Sequence, residues 1–162
     1  MSSAAIQVRM FGGFGLEASA DDDWVSAGYA AGVPMGGVLD DAPEGVAPGF
    51  VLWAMKGPES GNLDRLQVVK GWGDAEGQQH EAVYDVAWGG DRAPGEDGTL
   101  PPVGDTVDVA RATWTDTIGD PDLTAVWRDP DFDPSEPAFY YVRVLEIQTP
   151  RWTTYDHAFF GV

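Results

Sequence analysis

The sequence predicts a mainly β protein, an antiparallel β-sandwich of about seven strands with one short helix. Its 162 residues include 21 glycines and 12 prolines, which favours short strands joined by tight turns over long helices. Several segments also alternate apolar and polar residues with the period of two that is typical of half-buried strands. The length suits one domain with a substantial core, so we expect residues 1–162 to form a single β-sandwich domain.

Period-two alternation and short apolar runs locate the individual strands. In residues 63–72, Leu66 and Val68 share one face with Lys70. A turn with glycine at both ends, residues 73–77, joins this segment to 79–88 and predicts a hairpin. The predicted strands are residues 6–11, 50–56, 63–72, 79–88, 107–114, 123–127, 138–148 and 152–155.

The one predicted helix covers residues 24–32. Three aspartates, Asp21 to Asp23, precede its short apolar run and are typical of a capped helix start. Glycines and prolines in residues 33–49 predict a loop, and residues 89–98 form a second, polar loop.

Charge and composition exclude several classes of protein. The chain has 27 acidic and 9 basic residues, for a net charge of −18. An acidic surface of this strength repels phosphate backbones and anionic membranes, so we expect neither nucleic-acid nor membrane binding. No apolar stretch approaches the roughly 20 residues of a membrane helix, and residues 1–15 lack the pattern of a signal peptide. The absence of cysteine excludes disulfides and thiolate chemistry.

The 129–136 loop is the best candidate for a metal site. Three aspartates at alternate positions and a following glutamate offer the oxygen ligands that Ca²⁺ prefers. The alternative is a proline-stiffened loop whose aspartates form Asx turns and cap backbone N–H groups. The candidate ligands are Asp129, Asp131, Asp133 and Glu136.

A second group of residues is a candidate ligand surface. Asn62 and Asp64 precede a predicted strand, where they can bind an ion or a sugar or can shape the turn. The chain has seven tryptophans, most of them within or beside predicted strands and so expected in the core. Trp152, which follows Arg151, is the best candidate for an exposed one.

Nothing in the sequence supports assigning a catalytic residue. His80 and His157 are the only histidines, so a transition-metal site is poorly supplied. No serine lies in a nucleophile-elbow context, and no glycine-rich loop joins a strand to a helix.

Several long motifs in fixed order closely resemble one family. They are SGNLDRLQVVKGW (60–72), VYDVAW (83–88), LPPVG (100–104), DPDFDP (129–134), AFYYVRVLEI (138–147) and TPRW (149–152). These motifs resemble the C-terminal region of a bacterial family called domain of unknown function 3604. The resemblance extends over nearly the whole chain, from about Ile6.

The resemblance implies a longer parent protein. Members of that family carry an N-terminal barrel similar to the PHP (polymerase and histidinol phosphatase) metal-dependent phosphoesterases, with metal ligands on a His-x-His strand. This chain has no His-x-His, so no catalytic residue of the barrel can be assigned to it. The chain would begin near the domain border, as in a split gene or a truncation. Family members are often exported, and the compartment of this chain is open.

Three functions follow as hypotheses. The first is a non-catalytic accessory β domain that packs against a PHP-like barrel or associates with itself. The second is a module that binds Ca²⁺, carbohydrate or both. The third, an independent enzyme, has the least support, because no nucleophile–base pair or metal-ligand spacing is present.

Overall fold

The computed structural model describes residues 5–16, 23–40 and 42–161. The predicted capping residues Asp21 and Asp22 lie outside these ranges. The chain forms seven strands and two helices in the order β1 (Gln7–Phe14), α1 (Trp24–Ala31), β2 (Val33–Pro34), β3 (Pro48–Met55), β4 (Leu63–Gly73), β5 (Gln79–Trp88), β6 (Asp122–Arg128), β7 (Ala138–Glu146) and α2 (Trp152–Phe160).

The strands form two antiparallel sheets, as expected for a β-sandwich. A four-stranded sheet has the order β2-β1-β3-β6, and a three-stranded sheet has the order β5-β4-β7. The predicted hairpin is confirmed, since β4 pairs with β5 from Arg65 opposite Trp88 to Gly73 opposite Gln79. Gly77 closes its turn with a positive φ of 78° and donates its N–H to the carbonyl of Asp74.

The core lies between the two sheets. Alternation directs one face of each strand inward, so that Leu52 of β3 and Leu66 and Val68 of β4 are fully buried in one cluster. Phe50 lies at one end of this core, where its ring is 5.7 Å from Trp127 and 4.6 Å from Tyr140. The inward face of β4 also carries Lys70, which ends next to the 129–136 loop.

Helix α1 covers the outer face of the four-stranded sheet. Phe11 is buried there, in edge-on contact with Trp24 and Tyr29. A Cβ added at Gly28 would lie 2.5 Å from the Phe11 ring, so only glycine permits this close approach. Asp23 is the N-cap residue as predicted, but its side chain makes no capping hydrogen bond.

Three predicted elements are wrong in detail. Residues 107–114 form a single bridge between Asp108 and Thr113 rather than a strand, because the segment has no continuous partner strand. Residues 152–155 begin the helix α2, which starts with hydrogen bonds from Thr154 and Tyr155 to the carbonyl of Arg151. The predicted 33–49 loop contains β2, a two-residue strand on β1.

A long irregular connection joins β5 to β6. Arg92 holds its first part, since its guanidinium donates to the carbonyls of Asp64, Gly89 and Pro101 at 2.8–3.1 Å. Within the described ranges no helix is long and apolar enough to span a membrane.

Candidate functional site

A buried ion pair anchors the 129–136 loop to the three-stranded sheet. Lys70 Nζ lies 2.7 Å from Asp129 Oδ2, and the two side chains are only 3% and 0% exposed. Lys70 also donates to the backbone carbonyl of Asp131 at 2.7 Å, and its Nζ lies 5.1 Å from the centre of the Trp72 ring. Buried charges require such pairing, since an isolated charge in the core is strongly unfavourable.

Two tyrosines complete this anchor cluster, which comprises Lys70, Tyr84, Asp129, Asp131 and Tyr140. Tyr140 donates its hydroxyl proton to Asp129 Oδ2 at 2.6 Å, and Tyr84 donates to Asp131 Oδ2 at 3.0 Å. Burial, and then the hydrogen bond to Asp131, raises the pKa of Tyr84 to about 12. Burial and the neighbouring Asp129 carboxylate raise the pKa of Tyr140 even further. Both tyrosines therefore stay protonated as donors, which suits an anchor.

Two of the four predicted calcium ligands, Asp129 and Asp133, accept hydrogen bonds from within the loop itself. Asp131 donates its backbone N–H to Asp129 Oδ1 at 3.0 Å, and Asp133 Oδ1 accepts from the N–H and hydroxyl of Ser135. The N–H of Glu136 bonds to the Asp133 carbonyl. The hydrogen bonds to Ser135 lower the pKa of Asp133. These are the Asx-type contacts of the alternative interpretation.

Among the residues that the structure describes, no group of three or more His, Asp or Glu side chains is arranged to hold a metal ion. The carboxylates of Asp129, Asp131 and Asp133 belong instead to the ion pair, the tyrosines and the hydrogen bonds within the loop. Calcium binding at Asp129, Asp131, Asp133 and Glu136 stays a prediction.

An apolar groove of about 880 Å³ borders the same loop. It runs between β1 and β2 of one sheet and the first residues of β7 in the other. Its walls are rich in aromatic side chains and methionines, and Asp40 and Glu136 add two carboxylates. The groove-lining side chains include Met10, Phe14, Met35, Phe50, Phe132, Phe139, Tyr140 and Tyr141.

Asn62 and Asp64 lie at the start of β4, roughly 20–26 Å from Lys70 at the usual rise per strand residue. The Asn62 amide points inward and donates to the carbonyls of residues 116, 118 and 119 at 3.0–3.3 Å. Asp64 lies 3.1 Å from Arg65 Nε and 2.7 Å from Arg92 Nη2. Both residues therefore hold the connection between β5 and β6 in place.

The outer face of the three-stranded sheet carries a hydrogen-bonded row that the sequence analysis missed. Asp85 of β5 accepts from Arg65 and Gln67 of β4 at 2.9 and 2.7 Å, and Gln67 accepts from Arg143 of β7 at 2.7 Å. The alternation of Arg65 and Gln67 with buried leucine and valine is a signal for such a face. Its cross-strand partners depend on register, which the sequence alone does not specify.

Helix α2 presents the predicted exposed tryptophan. Trp152 is 61% exposed, Tyr155 42% and Phe159 82%, and no described residue of the helix is buried. These three aromatic residues are spaced i, i+3 and i+7, so they form a stripe on one helix face. Arg151, the other residue predicted there, is the N-cap residue of α2.

A family model described as "Protein of unknown function (DUF3604)" matches residues 1–162. No curated protein and no solved structure matches the chain.

Proposed function

Because this chain belongs to the family of proteins of unknown function DUF3604, we propose that it is a non-catalytic accessory β domain of a PHP-like hydrolase. In this proposal it packs against a catalytic barrel, on the same chain or on a partner chain. Four of the six motifs that carry the family resemblance lie on β4, β5 and β7 and on the loop of the anchor cluster, so they belong to the scaffold of the sandwich. LPPVG (100–104) lies in the connection between β5 and β6, and TPRW (149–152) ends at the first residue of α2.

The observation that carries the proposal is the aromatic stripe of α2. Soluble proteins rarely leave several large aromatic side chains of one helix face in water unless that face meets another surface. A stripe with spacing i, i+3 and i+7 has the form of a helix that docks into an apolar groove of a partner. Large aromatic anchors also supply much of the binding energy at such interfaces.

The first experiment is to sequence the DNA upstream of the coding region and to co-express any PHP-like barrel encoded there. We expect the barrel to co-purify with this chain and the Trp152→Ala/Phe159→Ala variant to lose it. Val109→Ala is the matched control, because Val109 is 62% exposed and lies far from α2 in the sequence. Equal binding by the stripe variant and the control would refute docking through α2.

Self-association is the other form of the same proposal. Sedimentation at several protein concentrations distinguishes it, since a dimer held by α2 dissociates on dilution and is absent from the stripe variant. A monomer at all concentrations that also binds no barrel would remove the accessory role.

Calcium binding is tested by a melting-temperature titration. A cation that binds only the folded chain must raise the melting temperature as its concentration increases. An unchanged melting temperature would remove the hypothesis, and a rise that persists in Asp133→Asn would place the ion elsewhere.

A further inference from the structure

We propose that the free edge of β7, together with the groove beside it, binds an extended basic segment of another protein as an added β-strand. The proposal is independent of docking through α2. It rests on the backbone of β7, the lining of the groove and the charge of the chain.

The backbone of β7 has an open hydrogen-bonding edge. Its only neighbour among the described strands is β4. Gly73 donates its N–H to the carbonyl of Pro137, and hydrogen-bonded pairs alternate along an antiparallel ladder, so every second residue from Pro137 faces β4. The residues between them direct their N–H and C=O groups away from β4. They are Ala138, Tyr140, Val142 and Val144.

Proteins commonly protect an open edge with lysine, proline, a bulge or a short strand. β7 has nine residues and contains neither lysine nor proline, and its register with β4 is regular from Ala138 to Leu145. Its single arginine, Arg143, is held on the sheet face by Gln67. As far as the described residues show, the edge can therefore accept a strand, as in other complexes that extend a sheet.

The groove provides room for the side chains of that strand. It lies along the start of β7 and is lined by Met10 and Phe50 from the facing sheet. Phe139 and Tyr141, on the outer face of β7, are 62% and 44% exposed. An added strand would place alternate side chains in the groove and over these two rings.

Charge selects a basic occupant. Among the groove's described lining residues there are two carboxylates, Asp40 and Glu136, and no lysine, arginine or histidine. The whole chain carries a net charge of −18, so this edge attracts a basic segment more strongly than an equally acidic second copy of the chain. Aromatic rings at the groove add favourable contacts for cationic side chains.

The test uses a nine-residue peptide of alternating valine and lysine with blocked ends, and NMR measurement of amide hydrogen exchange. We expect exchange to slow by about tenfold or more at Tyr140, Val142 and Val144, whose amides the peptide would newly pair. The matching valine–glutamate peptide should bind at least about tenfold more weakly. Peptide binding without slower exchange at these three amides would overturn the proposal.

Backbone pairing is tested on the peptide, where protein folding is not at risk. N-methyl groups on one alternate set of peptide amides should abolish binding, and on the other set should leave it unchanged, because only one set faces β7. Equal effects of the two sets would contradict strand addition.

Local charge is tested with Asp40→Asn/Glu136→Gln, which should weaken binding by about tenfold. The matched control Glu59→Gln/Asp156→Asn removes the same charge outside the groove and should have little effect. If both double variants weaken peptide binding equally, the peptide is attracted to the whole acidic surface and the proposal is overturned. Slower amide exchange in β7 that appears without peptide as the protein concentration rises would also overturn it, because a second copy would then occupy the edge. Loss of barrel binding by the α2 variants leaves these outcomes unaffected, so the two proposals fail separately.

Discussion

Replacing Lys70 by methionine should destabilise the protein strongly. The substitution keeps the length and apolar stem of the side chain but leaves the Asp129 carboxylate, which is 0% exposed, without its counter-charge. Removing one partner of a buried ion pair costs about 3–5 kcal/mol. For a chain of this length each kcal/mol lowers the melting temperature by about 2–4 °C, so we expect a decrease of roughly 6–20 °C.

The assay is urea unfolding followed by tryptophan fluorescence, with thermal unfolding as a second measure. Lys56→Met is the matched control, because Lys56 pairs with Asp116 where the side chains are 18% and 40% exposed. Such a pair contributes at most about 1 kcal/mol. The double variant Lys70→Met/Asp129→Asn removes both charges and should be at least about 2 kcal/mol more stable than the sum of the single effects predicts. A Lys70→Met cost no larger than that of Lys56→Met, or strict additivity, would refute the reasoning.

Three further predictions concern other parts of the fold. Tyr84 and Tyr140 have pKa values raised above the value near 10 of an unfolded tyrosine, so the stability that their neutral forms contribute is complete below pH 10. This contribution is lost as the pH rises through the folded pKa values. The absorbance at 295 nm should show a late tyrosinate phase, near pH 12 or above, that Tyr84→Phe reduces. Gly119→Ala should lower the free energy of unfolding in urea by more than about 2 kcal/mol, because φ is 69° and the new Cβ would lie 2.5 Å from a backbone oxygen. Gly98→Ala is the control, since Gly98 has a φ of 75° but open space around it, and should cost about 1 kcal/mol. Equal costs at the two positions would contradict the steric argument. Asn62→Ala should destabilise by about 1–3 kcal/mol and speed hydrogen exchange in residues 116–120, and unchanged exchange there would show that the amide does not hold the loop.

The parts of the fold that could be predicted are those set by residues close together in the sequence. The hairpin of β4 and β5 follows from alternation and a glycine turn, and both signals lie within about 25 residues. The position of Lys70 on the same face as Leu66 and Val68 was also predictable. Its partner Asp129 was not, because that pairing depends on how β6 and the following loop cross the end of β4.

The start of α2 shows the opposite case. The sequence predicted a strand over residues 152–155, and the high β propensity of Thr153, Thr154 and Tyr155 is consistent with one. The structure has a helix, and the spacing of Trp152, Tyr155 and Phe159 places their rings on one face. A short apolar run fits both the period of two of a strand and the period of 3.6 of a helix. Only the length of the element and its hydrogen bonds then distinguish a helix from a strand.

The strand pairing also has a consequence for how the chain reaches this structure. Among the described strands, only β4 and β5 are joined through a short turn. By contrast, β3 meets β6 with Leu52 opposite Ala125, and β4 meets β7 with Leu66 opposite Val144. Closing such distant segments costs chain entropy before any contact repays it, and sandwiches of this kind fold in milliseconds to seconds. The β4–β5 hairpin can form from neighbouring residues, whereas β7 follows them in the chain and is synthesised later. Until β7 docks, the edge of β4 that pairs with it lacks its partner strand. Aggregation during synthesis should therefore depend more on how fast β7 docks than on the final stability.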